Sequence, residues 1–415
     1  MKRVSTQLPN MDMQHHLRLR EWKMNDMQNK IAGQTRILNL RDDPVSAAHS
    51  VRFKSALTRL TKFADNVGTI QSQYRTAEGY MQETVNILQR VREIAVAGAH
   101  GTFSKQETTY MAEEVNQLLN ELVEIGNARG PEGTYLFAGD RNQSEPFRTV
   151  EGHVREGVGK VITDVEYVGT IHNSMAEISD GSYVNTGVVG NKAFWAEQQT
   201  LIASRDAANY QVPADSAIMI DGTEIQLRAG DTVHAIIAKI NSADVSVKAK
   251  LDPVQNSLVL QTTTAHQLWM EDVGESTVFK DLGVLSENGH LPPNNIADDA
   301  RITGGSMYDM IIHLRDSLYN GDVIDTGGSA LRGIDSALNN VLTEMAELGA
   351  QDERLQFIAK RIDAEIPKVV GNDSRETDLD MAAAITNLKM LEYTHKAALQ
   401  TAGRILRPTL LDFLR

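Results

Sequence analysis

Two apolar seams of matching length constrain this chain more than any other feature. The first takes Leu60, Phe63, Val67, Ile70, Tyr74, Ala77, Met81, Thr84, Leu88, Val91 and Ala95, spaced alternately three and four apart, with Thr84 as its one clearly polar member. The second takes Leu331, Ile334, Leu338, Val341, Met345, Leu348, Asp352, Leu355, Ala359, Ile362 and Ile366, interrupted only by Asp352. Such spacing keeps one narrow side of a helix apolar turn after turn. At 1.5 Å per residue each seam makes a rod of roughly 54 Å, against an ordinary helix of about 11 or 12 residues. Rods of that length bury their seams best against each other. The core is therefore expected where Leu60, Val67 and Leu88 meet Leu338, Met345 and Leu355, with the rods antiparallel.

Proline placement agrees, since residues 45–130, 294–366 and 368–407 contain none and a helix interior tolerates proline poorly. Weaker stripes lie at both extremities. Met13, Leu17, Met24, Met27, Ile31 and Leu38 form one; Ala384, Leu388, Leu391, His395, Ala398, Ala402 and Ile405 form the other. Stripes so thin are poor material for an isolated helix pair, which predicts that these ends associate with other chains. A further short helix is expected through Met111, Val115, Leu118, Leu122 and Ile125, with Ser104 available to cap it.

Between about 140 and 295 glycines and turn pairs become frequent and alternation replaces heptads. In IMIDGTEIQL, Asp221-Gly222 separates two strand-like runs, a strong hairpin signal. DTVHAIIAKIN, from Asp231 to Asn241, reads as a short capped helix with Val233, Ile236, Ile237 and Ile240 on one face. VSVKAKL then alternates, Asp252-Pro253 turns the chain, SLVLQT returns, and Leu291-Pro292-Pro293-Asn294 closes the segment. The expected fold is mainly α: a long antiparallel helical bundle built by both halves of the chain, with an inserted α+β, strand-rich domain. The expected divisions are terminal assembly helices at 1–44 with 376–415, the long bundle at 45–139 with 296–375, and the insertion at 140–295.

The balance of charge narrows the partners. With 415 residues, a formal charge of -14 and a pI near 5.3, general affinity for nucleic acid or an anionic membrane surface is not expected. The longest apolar runs, such as AIMI at 217–220, fall far short of the roughly 20 residues a membrane span needs. The start, MKRVSTQLPNMDMQHH, has basic residues without the apolar stretch of a secretory signal. Absence of cysteine removes disulfides, thiolate catalysis and cysteine-ligated zinc.

Candidate chemistry is sparse. His15 and His16 are adjacent and so project to different helix faces, unlike the i, i+4 pair of a zinc protease. Gly157 to Lys160 has two glycines and a lysine, but the spacing of a phosphate loop fails and Val161 stands where Ser or Thr is needed. No HExxH, GxSxG or strand-to-helix GxGxxG occurs. Asp352 and His395 occupy seam positions suited to setting register; Arg90, Arg92 and Glu93 read as a solvated rod face. No catalytic residue, cofactor or metal site is expected. The acids of LRDDP read as a hinge instead: Asp43 stands where a helix N-cap is wanted, Pro44 suits the first helical position, and Arg41 and Asp42 complete the joint.

Several stretches resemble the flagellin-like axial proteins of the bacterial flagellum: GQTRILNLRDDPVSAA (33–48), ILQRVREIAVAGAHGTFS (87–104), LGAQDERLQF (348–357) and the closing DLDMAAAITNLKMLEYTHKAALQTAGRILRPTLLDFLR. AKINSADVSVKAKLD is similar to the Ile-Asn motif of that family's inserted domains, although Asp244 stands where relatives often have glycine. Within the family, GTYLFAGDRNQSEPF from Gly133 to Phe147 is most similar to the hook-filament junction proteins. The resemblance implies a structural adaptor on the flagellum, outside the cell or in the periplasm, reached by type III export. Its implied partners are another hook-associated protein, flagellin, further copies of itself in a ring or helical array, and an export chaperone over the C-terminal helix. Filament flagellin is the near alternative. A secreted coiled-coil tip or adhesin-like protein would lack the paired terminal motifs, and an enzyme on the insertion would need a catalytic cluster.

Overall fold

The computed structural model describes residues 8–154, 157, 159–287 and 290–405. Helices α1 (Leu8–Gly33), α2 (Pro44–Ala99) and α3 (Lys105–Gly126) open the chain. Two hairpins follow, β1 (Phe147–Gly152) with β2 (Val161–Tyr167) and β3 (Met175–Ser179) with β4 (Ser182–Asn185). Then come α4 (Gly190–Ala193), β5 (Thr200–Ile202), β6 (Ser216–Ile220), β7 (Thr223–Leu227), α5 (Val233–Ser242), β8 (Val247–Leu251), β9 (Leu258–Thr262) and β10 (Met270–Val273). After α6 (Val278–Asp281) and β11 (Arg301–Thr303), the helices resume as α7 (Met307–Asn320), α8 (Val323–Asp325), a π-turn at Thr326–Ala330, α9 (Leu331–Thr377) and α10 (Met381–Ile405). No described helix is long and apolar enough to cross a membrane.

The chain divides into two compact units, residues 1–64 with 360–415 and residues 65–359. In the larger unit α2 and α9 run antiparallel, as expected: Tyr74 donates to Gln351 at 2.9 Å and Arg92 pairs with Asp335 at 2.6 Å. The first seam is buried from Phe63 to Ala95, while Leu60 is half-buried. On α9 the two columns of the seam differ. Ile334, Val341, Leu348, Leu355 and Ile362 are buried, whereas Leu331, Leu338, Met345, Asp352, Ala359 and Ile366 are only half-buried. Thr84 is buried without cost because its hydroxyl donates to Tyr80 O at 3.0 Å.

Helix α3 starts where Ser104 allows, with a full capping box to Glu107, and packs on α7. That second helix was not foreseen from the seams. Its Arg315, wholly buried, donates to Asn116 Oδ1 at 3.1 Å and to Ile162 O at 2.6 Å, tying α3 and β2 to α7. Phe147 stands within 5.4 Å, ring to ring, of Phe194, Tyr167 and Tyr308. The two hairpins at 147–185 attach to the rods through such contacts: Asn66 donates to Glu177 O at 2.7 Å and Tyr74 to Asn185 O at 2.6 Å.

Within the expected insertion, one apolar core collects residues from Leu201 to Leu285. It lies between the sheets β10-β6-β7 and β11-β5-β9-β8 and helix α5. Asp221 and Gly222 close the β6–β7 hairpin with φ of 48° and 79°, the two positive angles a type I′ turn demands. Helix α5 begins at Val233 after Thr232, not at Asp231. Asp231 instead accepts from Arg228 N at 2.8 Å and pairs with Lys239 at 2.5 Å.

Two local readings are corrected. Helix α9 continues through Pro367 to Thr377; its exposed proline gives up one backbone bond, which the long flanking segments hold in register. Leu38 is not on the first terminal helix. That helix stops at Gly33, Gln34 turns with φ 53°, and Leu38 sits 40% exposed in the connection to α2.

Candidate functional site: the joint of the terminal and long helices

The smaller unit contains both turns that link a terminal helix to a rod, and they are laced together. Arg36 N–H donates to Thr377 O at 2.7 Å, Leu379 N–H donates to Gln34 O at 3.1 Å, and Thr35 faces Asp378 in an antiparallel bridge. One turn connects α1 to α2 and the other α9 to α10, so the two ends of the chain share one joint.

Acids cap the helices that leave it. Asp43 Oδ1 accepts from Ser46 N at 3.1 Å while its carbonyl accepts the first helical bond from Ala47 at 3.0 Å. Asp380 does the same for α10, with Ala383 N at 3.0 Å and Ala384 N at 2.9 Å. Both are N-cap carboxylates at the positive end of a helix. Asp42 serves the connection itself, accepting from Asn39 N at 3.1 Å and Leu38 N at 3.2 Å.

Arg36 is the hub. Its guanidinium pairs with Asp43 at 3.2 Å and donates to Ser46 Oγ at 3.1 Å and to Glu376 O at 2.9 Å, so one planar group spans both turns. His49 Nδ1 lies 3.3 Å from Glu376 Oε1. Hydrogen bonding to charged forms sets the acidity here. The amide and hydroxyl of Ser46, then Arg36, hold Asp43 below the usual carboxylate range. Asn39 and Leu38 amides, with the fields of Lys30 and Arg41, do so for Asp42. Ser46, His49 and Arg36 do so for Glu376.

The sequence therefore located the joint and its caps at Asp42, Asp43 and Pro44. Arg41 is exposed and acts on Asp42 through its field alone among the described residues. Arg36, Ser46, Glu376 and Asp380 went unread. Asp380 before an alanine-rich helix was a legible cap signal; the contacts of Arg36 join residues more than 300 positions apart and left none.

From the joint, α1 and α10 lie side by side, with Arg20 donating to Thr394 O at 2.9 Å. Leu17, Met24 and Ile31 face the pair half-buried, as do Leu388, Leu391 and Ala398. Ile405 ends α10, and its side chain lies outside the described residues. Outward, Trp22 is 55% and Tyr393 76% exposed, with Leu19, Met390 and Leu399 also uncovered. An open groove of about 680 Å³ runs between the helices, lined by Met13, Leu17, Arg20, Tyr393, Ala397 and Ala398.

No three metal-ligating side chains converge among the described residues. Gly157, from the phosphate-loop-like stretch, turns back onto Val154 O at 3.1 Å. Arg90 pairs with Glu93 at 3.0 Å and Glu114 at 2.7 Å. The arrangement is that of a polymer subunit: a rod, an insertion, and a jointed pair of terminal helices with apolar outer faces.

Comparison with known proteins agrees. Residues 4–142 match the bacterial flagellin N-terminal helical region, 216–264 the flagellin hook IN motif, and 331–414 the bacterial flagellin C-terminal helical region. Flagellin E of Vibrio cholerae is 24% identical over 420 residues, covering 99% of this chain and 98% of that one. Polar flagellin F of Vibrio parahaemolyticus is 24% identical over 93% and 91% of the two chains. Among solved structures, flagellar hook associated protein-3 from Legionella pneumophila superposes with a TM-score of 0.47 at 15% identity, over 78% of this chain and 97% of that one. The chain belongs to the flagellin family, and its role is structural, in the bacterial flagellum.

Proposed function

We propose that this chain is the adaptor that seats the flagellin filament on the hook, binding another hook-associated protein on one side and flagellin on the other. The observation that carries the reading is the jointed helix pair. Trp22, Leu19, Tyr393, Met390 and Leu399 stay uncovered in the single chain, and apolar surface of that kind is expected to be covered by neighbouring copies and axial partners. The stretch 133–147, whose sequence resembles junction proteins, supports the choice within the family. It is fixed in the larger unit: Gly139 sits at φ 64°, where a Cβ would lie 2.6 Å from Thr170 O, and Phe137 and Phe147 pack into the aromatic cluster.

On this reading the chain leaves the cell unfolded through the flagellar type III channel, with a chaperone over α10, and takes its place in a ring or helical array of copies. Electron microscopy of flagella from a strain lacking the chain tests it. Hooks without filaments, with flagellin shed into the medium, is the expected result. The full-length match to two curated flagellins favours a second reading, filament subunit. Hooks that still carry the junction, but end in shortened filaments or none, would establish it.

A further inference from the structure

The segment 264–269 joins β9 to β10 and grips several parts of the larger unit at once. His266 is buried in it, with Nε2 3.0 Å from Asp221 Oδ2, and Nδ1 3.0 Å from Thr264 Oγ1 and 3.1 Å from Thr264 O. Asp221 is the first residue of the β6–β7 turn. Its N–H donates to Trp269 O at 2.8 Å, and its Oδ1 accepts from Trp269 N at 3.2 Å. Leu268 N donates to Gln199 Oε1 at 2.7 Å, and Gln267 N to Asn191 O at 3.4 Å.

Charged groups face this histidine from three sides. Asp221 meets it on the hairpin. From α9, Glu344 is within its electrostatic reach; burial pushes that carboxyl up, while Lys192 and His266 pull it down. Lys192 lies between Glu344 at 3.1 Å and Glu347 at 2.9 Å. On the far side of the turn His172 covers Gly222, where a Cβ would meet its Cε1 at 3.0 Å. The neighbourhood thus holds three carboxylates against one lysine, apart from the two imidazoles.

We propose that His266 is a proton-operated latch that pins the β6–β7 turn of the insertion to segment 264–269. Histidine changes charge between about pH 5 and 8. Charged, it donates from both nitrogens, to the Asp221 carboxylate and the Thr264 carbonyl, and its charge offsets the carboxylate excess in a site with little water. Neutral, it keeps one N–H. Either Nε2–H stays on Asp221 and Thr264 Oγ1 donates to Nδ1, or a bare Nε2 faces the carboxylate. Both arrangements lose the ion pair, so the turn is held tightly on the acid side of the histidine range and loosens on the alkaline side. The latch is independent of whether the chain is an adaptor or a filament subunit.

Hydrogen exchange reads it directly, because the N–H groups of Asp221 and Trp269 are themselves bonds of the latch. Protection factors, corrected for intrinsic rates, are compared at about pH 5.5 and about pH 8.5, on either side of the histidine range. In the unaltered protein both amides should lose protection several-fold at the higher pH. His266→Gln should be weakly protected at both values, and His172→Asn should respond as the unaltered protein does. Should His266→Gln fail to fold, Asp221→Asn removes the same ion pair from the other side. Equal protection at the two pH values, a response surviving in His266→Gln or Asp221→Asn, or a response abolished by His172→Asn would overturn the proposal.

Discussion

Arg36 and Asp43 meet at 3.2 Å across the connection between α1 and α2, and the same guanidinium reaches the carbonyl of Glu376 near the end of α9. One side chain thereby ties the N-terminal turn to the C-terminal one. Arg36→Ala is predicted to reduce filament attachment and motility while leaving the melting of the larger unit unchanged. Arg41→Ala should behave as the unaltered chain. Swarming assays with circular dichroism melts of the purified variants check this, and equal loss in both variants would remove Arg36 from its place as hub.

The unequal legibility of the two arginines has a physical basis. Heptads, caps and turn pairs are local patterns, and they exposed α2, α9, the Ser104 cap, the Asp221-Gly222 turn and the Asp43-Pro44 start. Contacts between distant segments leave no spacing to read. Arg36 with Glu376 is one such contact, and Arg315 with Asn116 and Ile162 is another. Helix α7 was hidden because its buried face includes Arg315, Ser317, Tyr308 and Tyr319, which do not form a simple apolar stripe. Leu38 shows the opposite error: a correct period was carried past Gly33, where a positive φ at Gln34 ends the helix.

Acid should loosen the joint before it unfolds the rods. Asp42, Asp43 and Glu376 are each held below the ordinary carboxylate range by hydrogen bonds to the charged form. A depressed folded value means that their stabilisation is fully present above the unfolded carboxylate value of about 4 and is lost as pH falls through the folded values. Limited proteolysis at falling pH, with an acid-active protease, should cut residues 34–43 while 65–359 stays intact. Simultaneous loss of both regions would contradict it.

The two columns of the α9 seam predict different mutational costs. Leu355 is wholly buried, so Leu355→Ala should destabilise by about 2–5 kcal/mol, whereas half-buried Leu338→Ala should cost clearly less. Denaturant unfolding of the two variants measures the difference. Equal costs would mean that the seam is covered evenly along both columns.

Thr35 and Asp378 face one another in an antiparallel bridge between the two turns. Directly opposed residues in such a bridge hold their Cα atoms about 4.5–5.5 Å apart, within the reach of a disulfide, and the chain has no cysteine to compete. Thr35→Cys with Asp378→Cys should therefore oxidise readily within one chain, giving a monomer of raised mobility on non-reducing gels. Symmetric assembly requires every subunit to present the same geometry, so a joint that works as a fixed corner should still assemble when locked. Oxidised protein added to filament-less hooks in vitro is expected to restore filament attachment as well as reduced protein does. If attachment appears only after reduction, the turns must separate during assembly and the laced joint belongs to the free subunit alone.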